Sequence, residues 1–94
     1  MYIKKYTKKV GDKTWTYEIA VNPNTNSVEF NDVICCNNNL FSPCLIGLTE
    51  KSDLFENIKE HERFIEKWIE KRTAQFEIEK ENIVKLKKLG FKNI

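Results

Sequence analysis

The pattern of apolar positions divides the chain into two parts. Between Asp53 and Leu89, apolar residues recur at helical spacing and neither Gly nor Pro occurs. This predicts one long C-terminal helix, with a break near Arg72 as the alternative because apolar content drops there. From Tyr2 to about Leu48, apolar and polar residues alternate between turn signals, which predicts three or four antiparallel strands. We therefore expect an α+β fold, a small β-meander packed against a long helix.

Both ends of the predicted helix carry capping signals. Asp53 followed by Glu56 matches a capping box, with Ser52 as the competing N-cap. At the other end, Gly90 followed by Phe91 matches a left-handed C-terminal cap with an apolar residue beyond it. A helix of 37 residues extends about 55 Å, whereas a compact chain of this length is about 32 Å across. We expect something outside this fold to cover part of the helix.

The first two strands are expected to form a hairpin around Gly11-Asp12. A two-residue loop of this kind favours a primed turn with a positive φ at Gly11, and the register then pairs residues whose numbers sum to 23. One face of this hairpin holds most of its large apolar side chains, so it should face the core. Its members are Tyr2, Tyr6, Trp15, Tyr17, Ile19 and Val21.

A third strand is expected from Val28 to about Cys35, after the turn residues 22–27. The alternation slips at Asn31-Asp32, which indicates a bulge or a strand end there. Residues 44–48 form a candidate fourth strand.

One stripe of the predicted helix gathers most of its large apolar residues. These are Leu54, Ile58, Ile65, Trp68, Ile69, Phe76, Ile83 and Leu86. His61, Arg72 and Glu79 lie inside the same stripe. A second, weaker line lies more than a quarter turn away and consists of Phe64, Ile78 and Leu89. We expect one side of the helix to pack on the sheet and the other to require another helix.

Length and composition limit the class of protein. With 94 residues, 40% hydrophobic and 32% charged, the chain is expected to be one soluble domain, with a β-rich part at 1–48 and a helical part at 49–94. No apolar run approaches the ~18 residues that span a bilayer. The N-terminal lysines are not followed by the apolar segment of a secretory signal, so we expect a cytoplasmic protein.

The cysteines and the histidine give no catalytic or metal signature. Cys35, Cys36 and Cys44 are odd in number and two are adjacent, which favours thiols, interpreted as small buried hydrophobic residues, over a disulfide framework. They lack the C-x2–4-C spacing of zinc sites, and nothing near His61 resembles a thiol-activating arrangement. We expect no enzyme activity, no catalytic residue, no metal and no cofactor.

The long helix is the leading candidate for function. A non-enzymatic binding protein would bury Trp68, Phe76, Ile83 and Leu86 in an interface with a second copy or with a larger protein partner. The charged residues Arg72 and Glu79 would set the orientation by meeting opposite charges across that interface. The alternative for this pair is simple exposure on a helix that has passed the end of the sheet.

Size and residue usage suggest one form that such association would take. The chain is short and carries 14 Lys against 2 Arg, with frequent Asn and Ile, as expected of an AT-rich coding source. Short chains of this kind without a catalytic site are common among phage and mobile-element proteins that bind and block a host enzyme. An inhibitor or adaptor acting on a host nuclease or defence protein is therefore one hypothesis.

The basic hairpin supports a second class of function, nucleic-acid binding. Its candidate phosphate contacts are Lys4, Lys5, Lys8, Lys9 and Lys13, with Trp15 among the aromatic residues interleaved with them. Such residues supply phosphate contacts and stacking surfaces for single-stranded nucleic acid. However, the aromatic face is also the expected core face. The competing interpretation is a lysine-rich edge strand that discourages sheet-to-sheet aggregation.

Overall fold

The computed structural model describes residues 1–31, 33–36 and 39–93. Its elements are β1 Tyr2–Val10, β2 Lys13–Asn22, β3 Ser27–Phe30, β4 Val33–Cys35, β5 Leu40–Phe41 and α1 Leu54–Lys88. Strand β2 pairs with β1 on one side and with β3 and β4 on the other, and β5 pairs with β4, all antiparallel. The α+β arrangement expected from the sequence, an antiparallel sheet followed by one long helix, is confirmed.

The first hairpin has the predicted register. Its pairs run from Tyr2 opposite Val21 to Val10 opposite Lys13, so that paired numbers sum to 23. Gly11 has a φ of 62°, in the region where glycine has no steric penalty. Strand β1 has β2 as its one neighbour in the described sheet, so β1 is an edge strand.

A β-bulge divides the predicted third strand into β3 and β4. The amide of Asn31 donates to the carbonyl of Glu18 over 3.0 Å, whereas Ile34 pairs with Thr16. From Asn31 to Ile34 the chain advances by three residues, whereas the opposite segment of β2, from Glu18 to Thr16, advances by two. One extra residue on one strand of an antiparallel pair is a β-bulge. The expected irregularity is confirmed at Asn31, and Asp32 lies outside the described residues.

The predicted fourth strand at residues 44–48 is wrong. This segment contains a turn, in which the amide of Leu48 donates to the carbonyl of Leu45 over 3.1 Å. Gly47 has a φ of 90°, far from extended backbone. The strand that pairs with β4 is instead β5, Leu40–Phe41, which ends before Pro43.

Helix α1 packs across one face of the sheet. The buried apolar residues are Trp15, Tyr17, Ile19, Ala20, Val28, Val33, Cys35, Ile65 and Ile69. Tyr6 and Val21 pack against this core and are half-buried. The expected core face of the hairpin is therefore confirmed for five of its six residues. The exception is Tyr2, which is exposed at the start of β1.

The helix is capped where the sequence indicated. Asp53 is the N-cap rather than Ser52, because its Oδ1 accepts from the amides of Phe55 and Glu56 over 2.9 and 3.0 Å. The helix continues through Arg72, so the alternative of a break there is wrong.

The C-terminal end forms a Schellman motif. The amide of Phe91 donates to the carbonyl of Leu86 over 3.0 Å, and that of Gly90 to the carbonyl of Lys87 over 3.1 Å. Gly90 has a φ of 93°, as this cap requires.

The helix is longer than the sheet that covers it. Thirty-five helical residues extend about 52 Å, whereas the nine residues of β1 extend about 30 Å. Helix and strand run side by side, since Lys8 pairs with Glu70 at 3.6 Å and the Lys13 ammonium lies 5.9 Å from the Phe76 ring. The hairpin turn is therefore level with Phe76.

Beyond Phe76 the chain leaves the sheet. Every residue from 77 to 93 is exposed, and we call this segment the arm; residues 54–76 are the covered half of α1. The molecule measures 58 × 24 × 24 Å, with a radius of gyration of 16.8 Å against about 12 Å for a compact chain of this length.

Candidate functional site

An aromatic cluster closes the covered half of the helix. The fully buried Trp15 lies at its centre, with ring centroids 5.2 Å from Phe41, 5.7 Å from Trp68 and 6.0 Å from Phe76. Two of these rings, Trp68 and Phe76, come from the set predicted to form an interface. Both are half-buried against the sheet of their own chain.

A buried threonine fixes the orientation of the central indole. The Nε1 of Trp15 donates to Oγ1 of Thr73 over 3.0 Å, and this hydroxyl donates to the carbonyl of Ile69 over 2.8 Å. The buried indole N–H is therefore satisfied without water. Sequence reasoning missed Thr73, although its position one helical turn after Ile69 was a signal that it faces the core.

Arg72 covers the outer side of the same cluster. Its guanidinium carbon lies 4.5 Å from the ring centroid of Phe76 and 5.1 Å from that of Phe41, and Nη1 donates to Oε1 of Gln75 over 3.2 Å. Cation–π contacts of this kind account for a charge within an apolar stripe. Arg72 is thus half-buried at the end of the covered half.

The other three residues of the predicted interface lie in the arm. Ile83 and Leu86 are exposed by 44% and 45%, and Glu79 is exposed. The structure therefore divides the six predicted residues at the end of the sheet. Trp68, Arg72 and Phe76 contact the sheet side of their own chain, and the rest lie beyond it.

The arm carries an apolar face that is exposed and that no element among the described residues covers. When residues are placed at 100° intervals, the residues from Ile78 through Leu86 to Phe76 occupy one half of the helix circumference. Glu79 is the one charged residue of the arm in this half. Ile83 and the 75%-exposed Leu89 lie in the same half. We call this surface the arm face, with members Phe76, Ile78, Glu79, Asn82, Ile83, Leu86 and Leu89.

The second line of apolar residues expected on the helix also divides at the end of the sheet. Phe64 is half-buried, with its ring 6.4 Å from that of Phe30. Ile78 and Leu89 belong to the exposed arm.

An open groove of about 530 Å³ connects the arm to the hairpin turn. Its lining includes Asp12, Lys13, Cys35, Phe76, Lys80 and Ile83. Because Phe76 belongs to both, the groove lies directly beside the aromatic cluster.

The lysines proposed to bind nucleic acid are divided between the two faces of the hairpin. On the helix side, the Lys4 ammonium lies 4.8 Å from the Tyr6 ring, and Lys8 and Lys13 contact α1. Lys5 and Lys9 lie on the opposite face of the sheet, because successive strand residues alternate.

The aromatic residues of the hairpin are committed to the core. Trp15 is fully buried, so it presents no stacking surface. Tyr6 stacks on Tyr17 with ring centroids 4.8 Å apart and an interplanar angle of 2°. The lysine-rich β1 is an edge strand, as the aggregation-resistance interpretation requires.

The tyrosine pair titrates at high pH. Burial raises the pKa of Tyr17 to about 12, with further contributions from Glu66, from Tyr6 and from Glu62. Burial also raises the pKa of Tyr6, helped by the charge of Glu62 and by a hydrogen bond to it. Both shifts arise because a phenolate between helix and sheet is poorly solvated and close to carboxylates.

His61 occupies a structural position in the core. Its Nδ1 lies 2.7 Å from the carbonyl oxygen of Asn57, an acceptor, so Nδ1 carries the proton in this contact. The imidazole ring centroid lies 5.0 Å from that of Phe30. Both polar partners, His61 and Asn57, are buried.

Asn57 ties the start of the helix to two loops. Its side-chain amide donates to the carbonyl of Asn26 and its Oδ1 accepts from the amide of Lys51, both over 3.4 Å. A buried Asn with both ends bonded holds these segments together. This role of Asn57 was not predicted from the sequence, because an Asn in an amphipathic helix ordinarily lies on the solvent side.

The cysteines differ from one another. Cys35 is buried, whereas Cys36 and Cys44 are exposed, so the expectation of three buried thiols is wrong for two of them. A hydrogen bond with the backbone of Thr14 lowers the pKa of Cys36. Within residues 1–31, 33–36 and 39–93, no group of three or more His, Cys, Asp or Glu is placed to hold a metal ion.

Comparison of the chain with protein-family models, with curated proteins and with solved structures finds no match. None of the helical segments in the described part of the chain has the length and apolar character needed to cross a membrane.

Proposed function

We propose that the protein acts by protein–protein association through the arm. The observation that supports this most directly is the continuity of the apolar stripe past the end of the sheet. Ile83 in the arm lies directly in line with the buried Ile65 of the covered half, and Leu86 lies about 60° further round; both are exposed to solvent.

Physical reasons favour a covered arm in the working state. The arm continues a helix that the covered half has already nucleated, but it gains no packing against the described sheet, and packing supplies most helical stability in proteins. The arm nevertheless ends in a complete Schellman motif at Gly90. Contiguous exposed apolar surface bordered by charged residues is typical of interaction sites.

Two kinds of partner fit this proposal. One is a second copy of the chain; the other is a larger protein on which the arm docks, as an inhibitor or adaptor would. In both cases the arm face supplies the apolar centre of the interface. The lysines that flank this face, Lys85 and Lys87, supply the polar rim.

Nucleic-acid binding by the hairpin is the competing function, and the geometry supports it less. Trp15 is buried, and Lys8 is paired with Glu70. Replacing Lys5 and Lys9 with Gln tests this function, since a nucleic-acid binder loses salt-sensitive affinity for a single-stranded oligonucleotide. Equal titration curves for both proteins would remove the hairpin from consideration.

The test of the proposal is Ile83→Glu, with Val84→Glu as the matched control. Both residues are β-branched and similarly exposed, at 44% and 49%, but Val84 lies about 100° further round the helix, outside the arm face. Each protein is expressed in the organism that encodes it, and its sedimentation is compared in cell extract.

We expect the wild type and Val84→Glu to sediment in a complex heavier than the 11.2 kDa chain, and Ile83→Glu to sediment as the single chain. Circular dichroism of each purified variant checks that the fold is kept. Wild-type protein that sediments as a single chain would contradict the proposal.

A further inference from the structure

We infer that the free edge of β1 is a docking site for an extended acidic segment of another protein, which adds to the sheet as a further strand. This edge is a surface separate from the arm, and a partner can bind it whether or not the arm is covered. Edge strands bind extended segments through main-chain hydrogen bonds, while alternate side chains determine which segment fits.

The hairpin register shows which backbone groups of β1 point to the free edge. The carbonyl of Glu18 accepts from the amide of Asn31 over 3.0 Å, so even-numbered residues of β2 point their backbone groups away from β1. The odd-numbered residues of β2 therefore bond to β1, and each lies opposite an even-numbered residue of β1. The amides and carbonyls of the odd-numbered residues of β1 point to the free edge, and we call these residues the outward residues. They are Ile3, Lys5, Thr7 and Lys9.

The edge formed by the outward residues is open. All four are exposed, and in the described sheet β1 has no strand on this side. The edge therefore offers four amide donors and four carbonyl acceptors to an extended segment.

Several features that close an edge strand to other chains are absent from β1. The strand is nine residues long and contains neither Pro nor Gly. It keeps one register with β2 from Tyr2 to Val10 without a bulge. Protected edges are commonly short, bulged or interrupted by Pro. The lysines of β1 are the protective feature that is present, and they repel some strands rather than all strands.

Charge determines which strand fits this edge. Strand β1 contains Lys4, Lys5, Lys8 and Lys9 and no acidic residue. Pairing β1 with β1 of a second copy places two lysine-rich strands side by side, which is repulsive, whereas an acidic strand forms opposite-charge pairs. The lysines that keep the sheet from joining a copy of itself therefore favour an acidic partner.

On the helix side of β1, carboxylates of the same chain already lie beside the lysines. Glu70 pairs with Lys8 at 3.6 Å. Glu62 and Lys4 line the same open cavity of about 250 Å³. Acidic side chains of a partner gain little on this side.

The opposite face of β1 is the basic one. Lys5 and Lys9 lie there with Thr7 between them, and neither lysine forms an ion pair among the described residues. Glu18 lies opposite Lys5 on β2, but its Oε2 accepts from the side-chain amide of Asn31 over 2.7 Å, on the side away from β1. Alternate side chains of an added strand lie on this face. The partner segment therefore carries acidic residues at alternate positions with uncharged residues between them.

The experiment is a titration of ¹⁵N-labelled full-length protein with a synthetic nine-residue peptide that has Glu at every second position and Thr between. The chemical shift and hydrogen exchange rate of each backbone amide are measured. We expect the amides of the outward residues to shift. Their exchange should slow about tenfold when nine-tenths of the protein is bound, because only the free fraction then exchanges. The amides of Lys4, Tyr6 and Lys8 should change less, because they are already bonded to β2.

Two substitutions of Thr7 distinguish backbone pairing from attraction by charge. Thr7→Pro removes the amide donor at the centre of the edge, a position where Pro is tolerated because that amide points away from β2. Thr7→Val keeps the donor and serves as the control. We expect Thr7→Val to bind as the wild type does and Thr7→Pro to lose the slow exchange at Lys5 and Lys9. An unchanged amide spectrum of the core, at Ile69 for example, checks that each variant is folded.

The contribution of the two lysines is measured separately. Replacing Lys5 and Lys9 with Gln should weaken peptide binding by about two- to fivefold for each lysine, as expected for opposite-charge pairs across strands.

Three outcomes would overturn the inference. One is unchanged exchange at the outward residues in millimolar peptide, whether or not a single-stranded oligonucleotide shifts the same amides; another is equal binding of a peptide of the same composition whose Glu residues are consecutive. The third is a folded Thr7→Pro that binds as tightly as the wild type, which would mean attraction by charge alone. If Thr7→Pro does not fold, the comparison of the two peptides on the wild type decides.

Discussion

The two halves of α1 share one sequence pattern and have opposite environments. Ile69 in the covered half is fully buried, whereas Ile83, fourteen residues later on nearly the same side of the helix, is 44% exposed. The difference lies in the length of the hairpin, which turns at Gly11, so that no strand among the described residues covers the helix after Phe76. An amphipathic stripe therefore indicates which side of a helix is covered. The other elements of the fold determine how much of the helix length they cover.

The largest expected effect comes from making the same substitution in both halves. Ile69→Ala should lower the free energy of unfolding by about 2–5 kcal/mol, because it leaves a cavity in the core. Ile83→Ala should change it by no more than about 0.5 kcal/mol in dilute solution, where the arm is uncovered. Urea unfolding followed by tryptophan fluorescence measures both. Equal losses would mean that the arm packs on its own chain.

The hydrogen bond at the centre of the aromatic cluster should have the next largest effect. Thr73→Val keeps the shape of the side chain but leaves the Nε1 of Trp15 without its acceptor, at a cost of about 1–3 kcal/mol. Thr73→Ser retains the hydroxyl and serves as the control. If the two variants unfold at the same urea concentration, the hydrogen bond contributes nothing and only packing matters.

Alkaline pH should weaken the covered half through the tyrosine pair. The pKa of Tyr17 is about 12 in the folded chain against 10.0 for an unperturbed tyrosine. Between these values the unfolded chain releases a proton that the folded chain retains, so the free energy of unfolding falls as the pH rises from about 10 to about 12. A shift of two pKa units corresponds to at most about 2.7 kcal/mol, and screening by the nearby solvent reduces the expected loss to about 1–2 kcal/mol.

Tyr17→Phe tests the assignment of this loss. The variant should lose less stability than the wild type between about pH 10 and pH 12, whereas Tyr2→Phe should behave as the wild type because Tyr2 is exposed. An unchanged slope in Tyr17→Phe would assign the alkaline loss to other groups.

Substitutions at the two helix caps should have the smallest and most local effects on stability. Asp53→Ala removes the N-cap of the covered half and should reduce global stability by about 1 kcal/mol. Gly90→Ala puts a side chain at a φ of 93°, at a cost of about 1–2 kcal/mol to the last turn alone. Amide hydrogen exchange distinguishes them: Gly90→Ala should speed exchange at Phe91 without changing Ile69. Faster exchange at Ile69 in that variant would show that arm and core unfold together.

Local signals in the sequence were sufficient for much of the fold. Gly11-Asp12 fixed the hairpin register because a two-residue turn allows one pairing. Asp53 and Gly90 marked the helix ends because each satisfies backbone groups that the helix leaves unpaired. Residues 44–48 were misassigned as a strand because a short apolar run does not by itself distinguish a strand from a turn, and Gly47 decided it.

The candidate site was only partly accessible from the sequence. The stripe predicted that Trp68, Phe76, Ile83 and Leu86 lie on one side of the helix, but the place where the sheet ends depends on tertiary packing. From the sequence, Arg72 was interpreted as an interface charge. Its contact with Phe41 depends on the pairing of β5 with β4, which the alternation of apolar and polar residues did not predict.

The most direct test of the arm as an association surface is the solution mass by light scattering during size exclusion, at low and high salt and several protein concentrations. For the wild type we expect about twice the 11.2 kDa of one chain. This mass should persist at high salt, because the arm face is apolar and salt weakens only interactions between surface charges. Ile83→Glu should give the single chain. A wild-type mass of one chain at every concentration and salt would contradict self-association through the arm.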